Sequence, residues 1–458
     1  MPDHEPAVGG DMTEATTPAS HASYDVMHAI DEGKFTPLQK AIYLLTALAV
    51  VLDGFDGQMI GYAIPSIMLE WGVTRSVFSM AVASGLVGMA LGSLISGIIA
   101  DRIGRKPVLI GSVFLFGAAT FMIGHATDVT SIAMIRFVAG LGIGAALPAA
   151  TTMIAEFTPG RVRTIAVTTA IVCYPLGGML AGLVAGQVLP VHGWRTFFFI
   201  GGAMPMVYAL ILIFLLKESP KYLARQSSRW DELRVLMTRM AHDVAQAVSF
   251  TDGRDDSAKQ GSIGALFRDG RARDTVWLWL AFFMTLLSIY SAFSWLPTML
   301  TTEGLSPALA GMGLTAYNFG GVIGAILCAL AMTRFGSRWP MIIWAAMSSV
   351  TALALNAVSV TADTQIFLLG LGLHGLFITA LQCALYALCA HMYPTSIRVT
   401  GAAGALAFGR MGAILSSFVG AAMITAGGAT AYLNLLGGSM IVTVVGLAMI
   451  RNHIRPVR

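Results

Sequence analysis

The chain has 458 residues, of which 56% are hydrophobic and 11% charged, and its mean hydropathy is +0.74. A soluble globular protein carries about 25% charged residues, so a water-soluble enzyme is excluded. A disordered chain is excluded too, because this much apolar surface needs burial. The expected fold class is all-α and integral to a membrane. Fifty glycines against 17 prolines suit helices packed closely in lipid.

In chain order, residues 1–37 are mixed polar and acidic and lack a basic start running into a short apolar core, so they read as a disordered cytoplasmic tail and not a cleaved signal. A hydrocarbon core of about 30 Å needs about 20 apolar residues per helix. Twelve segments qualify. Six lie within 38–216, near 38–62, 76–99, 106–125, 129–154, 162–188 and 196–216. Six more lie within 274–450, near 275–299, 308–332, 339–359, 364–391, 399–424 and 430–450. Residues 217–273, with 11 Lys and Arg, form a cytoplasmic linker between these bundles, and 451–458 a second tail. The linker shows no apolar stripe and reads as a tether. Its basic residues are interleaved with Asp231, Glu232, Asp255 and Asp256, so no nucleic-acid partner is expected.

All 28 Lys and Arg except Arg75, Arg136, Arg195 and Arg410 fall in the tails, the even-numbered loops or the linker. Basic residues collect on the cytoplasmic side, so both termini are expected there. The halves also repeat. The loop Gly97-Ile-Ile-Ala-Asp101-Arg102-Ile-Gly104-Arg105-Lys106-Pro107 aligns, 232 residues on, with Ala329-Leu-Ala-Met-Thr333-Arg334-Phe-Gly336-Ser337-Arg338, and upstream Gly88 and Gly92 align with Gly320 and Gly324.

The first of these loops resembles the signature loop of the major facilitator superfamily. Arg136-Phe-Val-Ala-Gly140-Leu-Gly142-Ile-Gly144 is similar to that superfamily's arginine-glycine motif. Three further stretches resemble its aromatic acid:proton symporters: Asp53-Gly54-Phe55-Asp56, Ser294-Trp295-Leu296-Pro297-Thr298, and Tyr393 to Gly401 leading into Gly409-Arg410-Met-Gly412. The resemblance implies twelve helices in two six-helix bundles, a site near the midplane between them, and import of benzoate-like or hydroxycinnamate-like acids. It also implies a bacterial cytoplasmic membrane and a conformational loop of Asp101, Arg102 and Arg105, repeated at Arg334 and joined by Arg398. Thr333 and Ser337 depart from the pattern where Asp101 and Arg105 would recur. Tyr174-Pro175-Leu-Gly177-Gly178 is only a fragment of the antiporter motif, which leans toward symport.

Ionisable groups within a span cost about 2.5–3.5 kcal/mol at a helix centre, which makes them functional candidates. Asp53 and Asp56 share a helix face, and two carboxylates so close in low dielectric resist ionising together, which suits proton loading and release. With Arg136, and with Glu156 at the cytoplasmic end of the fourth span, they are the expected proton-coupling set. Arg410 lies near mid-membrane with no carboxylate in its own span, so a substrate carboxylate is the expected partner. His374 lies near the midplane of the tenth span, Gln382 and Tyr386 follow on related faces of it, and Tyr174, Trp295, Tyr317 and Asn318 complete the expected substrate set, with Tyr290 and Phe319 as further ring faces.

The four cysteines (Cys173, Cys328, Cys383, Cys389) lack metal-ligand spacing, and no phosphate-binding GxxxxGK[ST] occurs. The reading is therefore a proton-driven aromatic-carboxylate importer with no cofactor, no metal and no enzymatic activity, acting as a monomer in the lipid bilayer. The alternatives are a sugar, polyol or other organic-acid symporter, and a membrane sensor for aromatic acids.

Overall fold

In hydrocarbon no water can satisfy backbone N–H and C=O groups, so apolar runs of this length must become helices. The computed structural model describes residues 23–244, 247–253, 263–268, 270–394, 397–454 and 456. It begins with β1 (Ser23–Asp25), α1 (Val26–Glu32), α2 (Pro37–Trp71), α3 (Arg75–Ile103), α4 (Arg105–Ile123), α5 (Val129–Phe157) and α6 (Gly160–Leu215). The connecting segment carries α7 (Pro220–Ala224), α8 (Trp230–Arg239) and β2 (Ser249–Thr251). There follow α9 (Ala272–Thr302), α10 (Pro307–Phe335), α11 (Arg338–Ala354), α12 (Thr364–Met392) and α13 (Arg398–Met449).

Ten of the described helices are long and apolar enough to cross a membrane. Two are too long for one crossing: 56 and 52 residues at about 1.5 Å each span far more than a hydrocarbon core of about 30 Å. Helix α6 breaks at Gly193 (φ 74°), and α13 breaks at Gly427 and Gly428 (φ 59° at Gly428). A residue with a Cβ would be strained at either positive φ. With those breaks counted, the chain makes the expected twelve passes. Its outer surface is a belt of exposed Leu, Ile, Val, Met and Phe, such as Leu94, Ile98, Phe214 and Leu330.

Helices α2 to α6 pack on one another, as do α9 to α13, and the halves meet along α6–α10, α3–α13 and α2–α9. The sequence repeat appears as two matched seams. Gly88 and Gly92 on α3 face backbone of α5, whose Gly140 faces the Gly85 carbonyl; Gly320 on α10 faces the Gly372 carbonyl of α12, and Gly324 that of Leu376. A single Cβ at these points would overlap main chain, so the interhelical distance depends on glycine.

Two expectations change. Within the expected disordered tail, residues 1–22 lie outside the described residues, but 23–33 are structured. Asp25 caps α1, Val26 and Ile30 are fully buried, and β1 pairs in parallel with β2. The linker does have an apolar stripe: Leu233, Leu236 and Met237 of α8 are buried, and Phe250 of β2 meets Trp230 and Tyr24 at ring distances of 5.6 and 6.0 Å. The i, i+3, i+4 spacing spans barely one turn, and the β1–β2 pairing that anchors the segment joins residues more than 200 positions apart, so local patterning does not reveal it. Asp31 pairs with Arg163 at the start of α6, which ties the N-terminal segment to the first half.

Gly140→Ala is expected to cost about 1–3 kcal/mol by overpacking and to lower the melting temperature in detergent. Gly97→Ala, where a Cβ meets nothing within 4 Å, should leave it unchanged or slightly raised.

Candidate functional site

The site is built on a stretch of α2 that glycine keeps thin. A Cβ on Gly54 would overlap the Tyr174 backbone, and one on Gly57 would sit 2.6 Å from the Tyr174 hydroxyl. Helix α6 therefore presses its Tyr174-Pro175 segment directly against the Asp-Gly-Phe-Asp turn. Asp53 and Asp56 are 1% and 0% exposed. They face different neighbours. Asp53 lines a cavity between the halves and lies within electrostatic reach of Asp56 and Arg410. Asp56 points into the first half, where Arg136 and Thr120 act on it. Arg136 packs against Gly85, whose added Cβ would lie 3.2 Å from its Nε. Among the described residues no ion pair within 4.0 Å joins Arg136 to either aspartate, and both oxygens of Asp56 and Oδ1 of Asp53 are buried without a hydrogen-bond partner. Arg136 and Asp56 thus interact at longer range, without a direct ion pair.

Arg410 enters the same cavity from α13. Its Nη1 donates to Tyr290 Oη at 2.7 Å, and the guanidinium lies 5.8 Å from the centre of that ring. The same Nη1 also contacts Met89 Sδ of α3, a contact that crosses between the halves. No carboxylate bonds Arg410 among the described residues. Around it stand Tyr174, Gln382, Tyr386, Thr379 and Phe293, with Ile143, Leu147 and Val172 as apolar walls. The cavity therefore offers one cation, one buried acid, several phenols and flat apolar faces.

Four expected substrate contacts lie elsewhere, because the helices turn those side chains away. Trp295 is fully buried and donates its indole N–H to the Ser417 carbonyl at 3.0 Å, which joins α9 to α13. Tyr317 packs edge-on to Phe293 at 6.0 Å. His374 is held by the Ser348 carbonyl at 2.9 Å, inside the second half. Phe319, a further ring candidate, is 55% exposed on the outer surface. Asn318 forms a reciprocal amide pair with Gln58: Asn318 Nδ2 donates to Gln58 Oε1 at 2.7 Å, and Gln58 Nε2 to Asn318 Oδ1 at 3.2 Å. That pair bridges the halves. Gln58 escaped notice although an amide two residues beyond Asp56, deep in an apolar span, is itself an anomaly.

Glu156 also moves. It lies at the basic-loop end, 3.1 Å from Arg105 Nε, and accepts from the Ser219 hydroxyl. Arg105 also bonds Asp101 at 2.9 Å and the Ala100 carbonyl at 3.0 Å. The Glu218 carboxylate accepts from the N–H groups of Arg105 and Lys106 at 2.9 and 3.1 Å, at the start of α4, where a helix favours negative charge. Arg102 is exposed, and its carbonyl accepts from the Tyr222 hydroxyl. In the second half, Arg334 is exposed beside the Phe335 ring, and Arg398 Nε donates to the Tyr393 carbonyl at 3.3 Å. Among the described residues, neither joins a network like the first.

The two ends of the interface differ. Away from the basic loops, the amide pair, Arg75 donating to Thr302 at 2.6 Å, and a close passage of Gly61 over the Phe293 carbonyl join the halves. Toward the basic loops, a second cavity lined by Thr164, Thr168, Met332, Thr333 and Ile454 shares Ala325 and Cys383 with the central one. Polar and backbone contacts thus join the halves at one end, and a second cavity adjoins the site at the other.

The comparisons agree with this architecture. A family model described as Major Facilitator Superfamily matches residues 46–314. The chain is 35% identical to the 4-hydroxybenzoate transporter PcaK of Pseudomonas aeruginosa over 88% of its own length and 90% of that protein's. It is 32% identical to a gallate transporter of Pseudomonas putida, with 94% of each chain covered. In structure it is similar to the xylose transporter XylE of E. coli in a partially occluded inward-open conformation, with a TM-score of 0.72 over 91% of this chain and 99% of that one; at 18% identity, this is a likeness of fold. The chain belongs to the Major Facilitator Superfamily, within the branch that contains these transporters of hydroxylated benzoic acids.

Proposed function

We propose that the chain imports an aromatic carboxylate together with protons by alternating access, as a monomer in a bacterial inner membrane with both termini in the cytoplasm. The observation that carries this reading is Arg410: a guanidinium in the cavity between the halves, held by a phenol and a thioether and bonded to no carboxylate among the described residues. A planar anion supports two parallel hydrogen bonds with such a group, and the Ile143, Leu147, Val172 and Phe293 faces suit its ring. The relatives named for 4-hydroxybenzoate and gallate support the same substrate class.

Coupling follows from sharing one chamber. An ionised Asp53 partly cancels the field of Arg410 and repels an incoming anion; a protonated Asp53 does neither. Proton binding thus favours anion binding, which is the sign a symporter needs. Asp56 and Arg136 extend the acid cluster into the first half, so the charge on Asp53 bears on helix packing there. A second cavity adjoins it toward the basic loops, so release would run past Cys383 to the cytoplasm. The energy comes from the proton gradient, with no bound cofactor. A sugar would need several amides; Gln382 is the one amide lining this cavity. A sensor would need a free signalling surface on the linker, whereas the apolar stripe of α8 is buried.

Arg410→Gln should remove about 3 kcal/mol of charge-assisted bonding, a loss near 100-fold in affinity for an aromatic acid by calorimetry. His374→Gln, outside the cavity, should change that affinity by less than about threefold. Asp53→Asn should still bind and exchange the acid in proteoliposomes but fail to accumulate it against a gradient when a pH difference is imposed. Accumulation by Asp53→Asn at the parent level would refute the coupling.

A further inference from the structure

The second signature loop lacks the charges that hold the first, yet it is not loose. Ser337, at the position matching Arg105, donates its N–H to the Ile454 carbonyl at 3.0 Å, and its hydroxyl accepts the Ile454 N–H at 2.8 Å. The same hydroxyl lies 3.2 Å from His453 Nδ1. Next to it, Gly336 at φ 72° leaves room for the chain: an added Cβ would lie 2.6 Å from the Ile454 carbonyl oxygen. The other end of this segment is fixed as well. Asp274, only 4% exposed at the start of α9, accepts the N–H groups of Arg451 and Asn452 at 3.0 and 3.2 Å. Bonds from backbone N–H to a buried carboxylate are charge-assisted and short. The segment after α13 therefore crosses from α9 to the α10–α11 turn, stapled at both ends.

Its position matters as much as its bonds. Ile454 lines the second cavity, on the basic-loop side, in company with Met332 and Thr333 of α10 and Thr164 and Thr168 of α6, so that it faces the first half across what we take as the mouth of the carrier. For the carrier to expose its site on the other side, this mouth must close, and α6 must approach the surface that Ile454 helps to form. A side chain fixed by backbone bonds is a firmer stop than a free tail, because little rotational freedom remains to be lost on contact.

We propose that Arg451–Ile454 form a strap that takes the place of the absent charge network in the second half, and that Ile454 is the stop against which the first half closes this mouth. The proposal rests on alternating access but not on the identity of the solute. It predicts that weakening the strap disfavours the closed-mouth state.

Cys383 lines both cavities and so reports on the opening. The test measures the rate at which a bulky maleimide labels Cys383 in purified protein with Cys173, Cys328 and Cys389 changed to Ser, in the absence of solute. Deletion of residues 451–458 and Ile454→Ala should each speed labelling by about threefold, the shift expected if a closed population of about two thirds is lost. Ile454→Ala should also lower the maximal uptake rate with KM unchanged and with an unchanged melting temperature. Labelling at the parent rate in Ile454→Ala would overturn the proposal. That variant keeps every backbone bond of the strap, so it decides the matter even if the deletion fails to fold. Because no solute is present, failure of the aromatic-acid reading would leave the labelling result intact.

Discussion

Placing a carboxylate or guanidinium at a helix centre costs about 2.5–3.5 kcal/mol on insertion scales, and this chain does so at Asp53, Asp56, Arg136 and Arg410. Much of the central architecture can be understood as the arrangement that makes this tolerable. None of the four sits in a direct ion pair among the described residues. Arg410 is met by a phenol and a sulfur, while Arg136 and Asp56 act on each other at longer range inside the first half. A tight buried pair would be static, since separating it leaves an uncompensated charge. Loosely answered charges can instead be completed by a proton or by an anionic solute, and that leaves the pocket responsive to both.

The same helices must come close enough for those groups to share one chamber. Glycine supplies the closeness: Gly54 and Gly57 admit Tyr174, and the α3–α5 and α10–α12 seams bring main chain against main chain. Rigid halves built this way can rock as units, since their internal seams are backbone on backbone, whereas the halves meet each other through apolar packing and a few polar bonds. The Gln58–Asn318 amide pair and the Arg75–Thr302 bond are of that second kind. Each is a polar contact that water can replace, which makes it separable.

Duplication set up two equivalent loops, and the chain treats them differently. The first is held by Arg105, Asp101, Glu156 and Glu218; the second by neutral backbone bonds from the segment following α13. The first half gains a further tie from its N-terminal segment, through the β1–β2 pairing and the Asp31–Arg163 contact. Each half thus recruits chain from outside its helices to brace the basic-loop side.

What was legible from residues alone were the properties that depend on local chemistry: twelve apolar spans, the sidedness of the basic residues, the repeat, and the intramembrane charges at Asp53, Asp56, Arg136 and Arg410. Each is written in composition or in spacing along a helix. Which of them share a cavity was not legible, because that depends on the rotation of each helix about its own axis. Trp295, Tyr317, Asn318 and His374 sit on spans that do reach the site, yet they point into other seams. Glu156 lies at the basic-loop end of its helix, in the Arg105 network and not beside the aspartates. Gln58, the folded linker and the Ser337–Ile454 contact were hidden for a different reason: each joins residues more than 100 positions apart. Only packing in three dimensions decided which polar groups meet, since in lipid almost any apolar face can be turned outward at little cost.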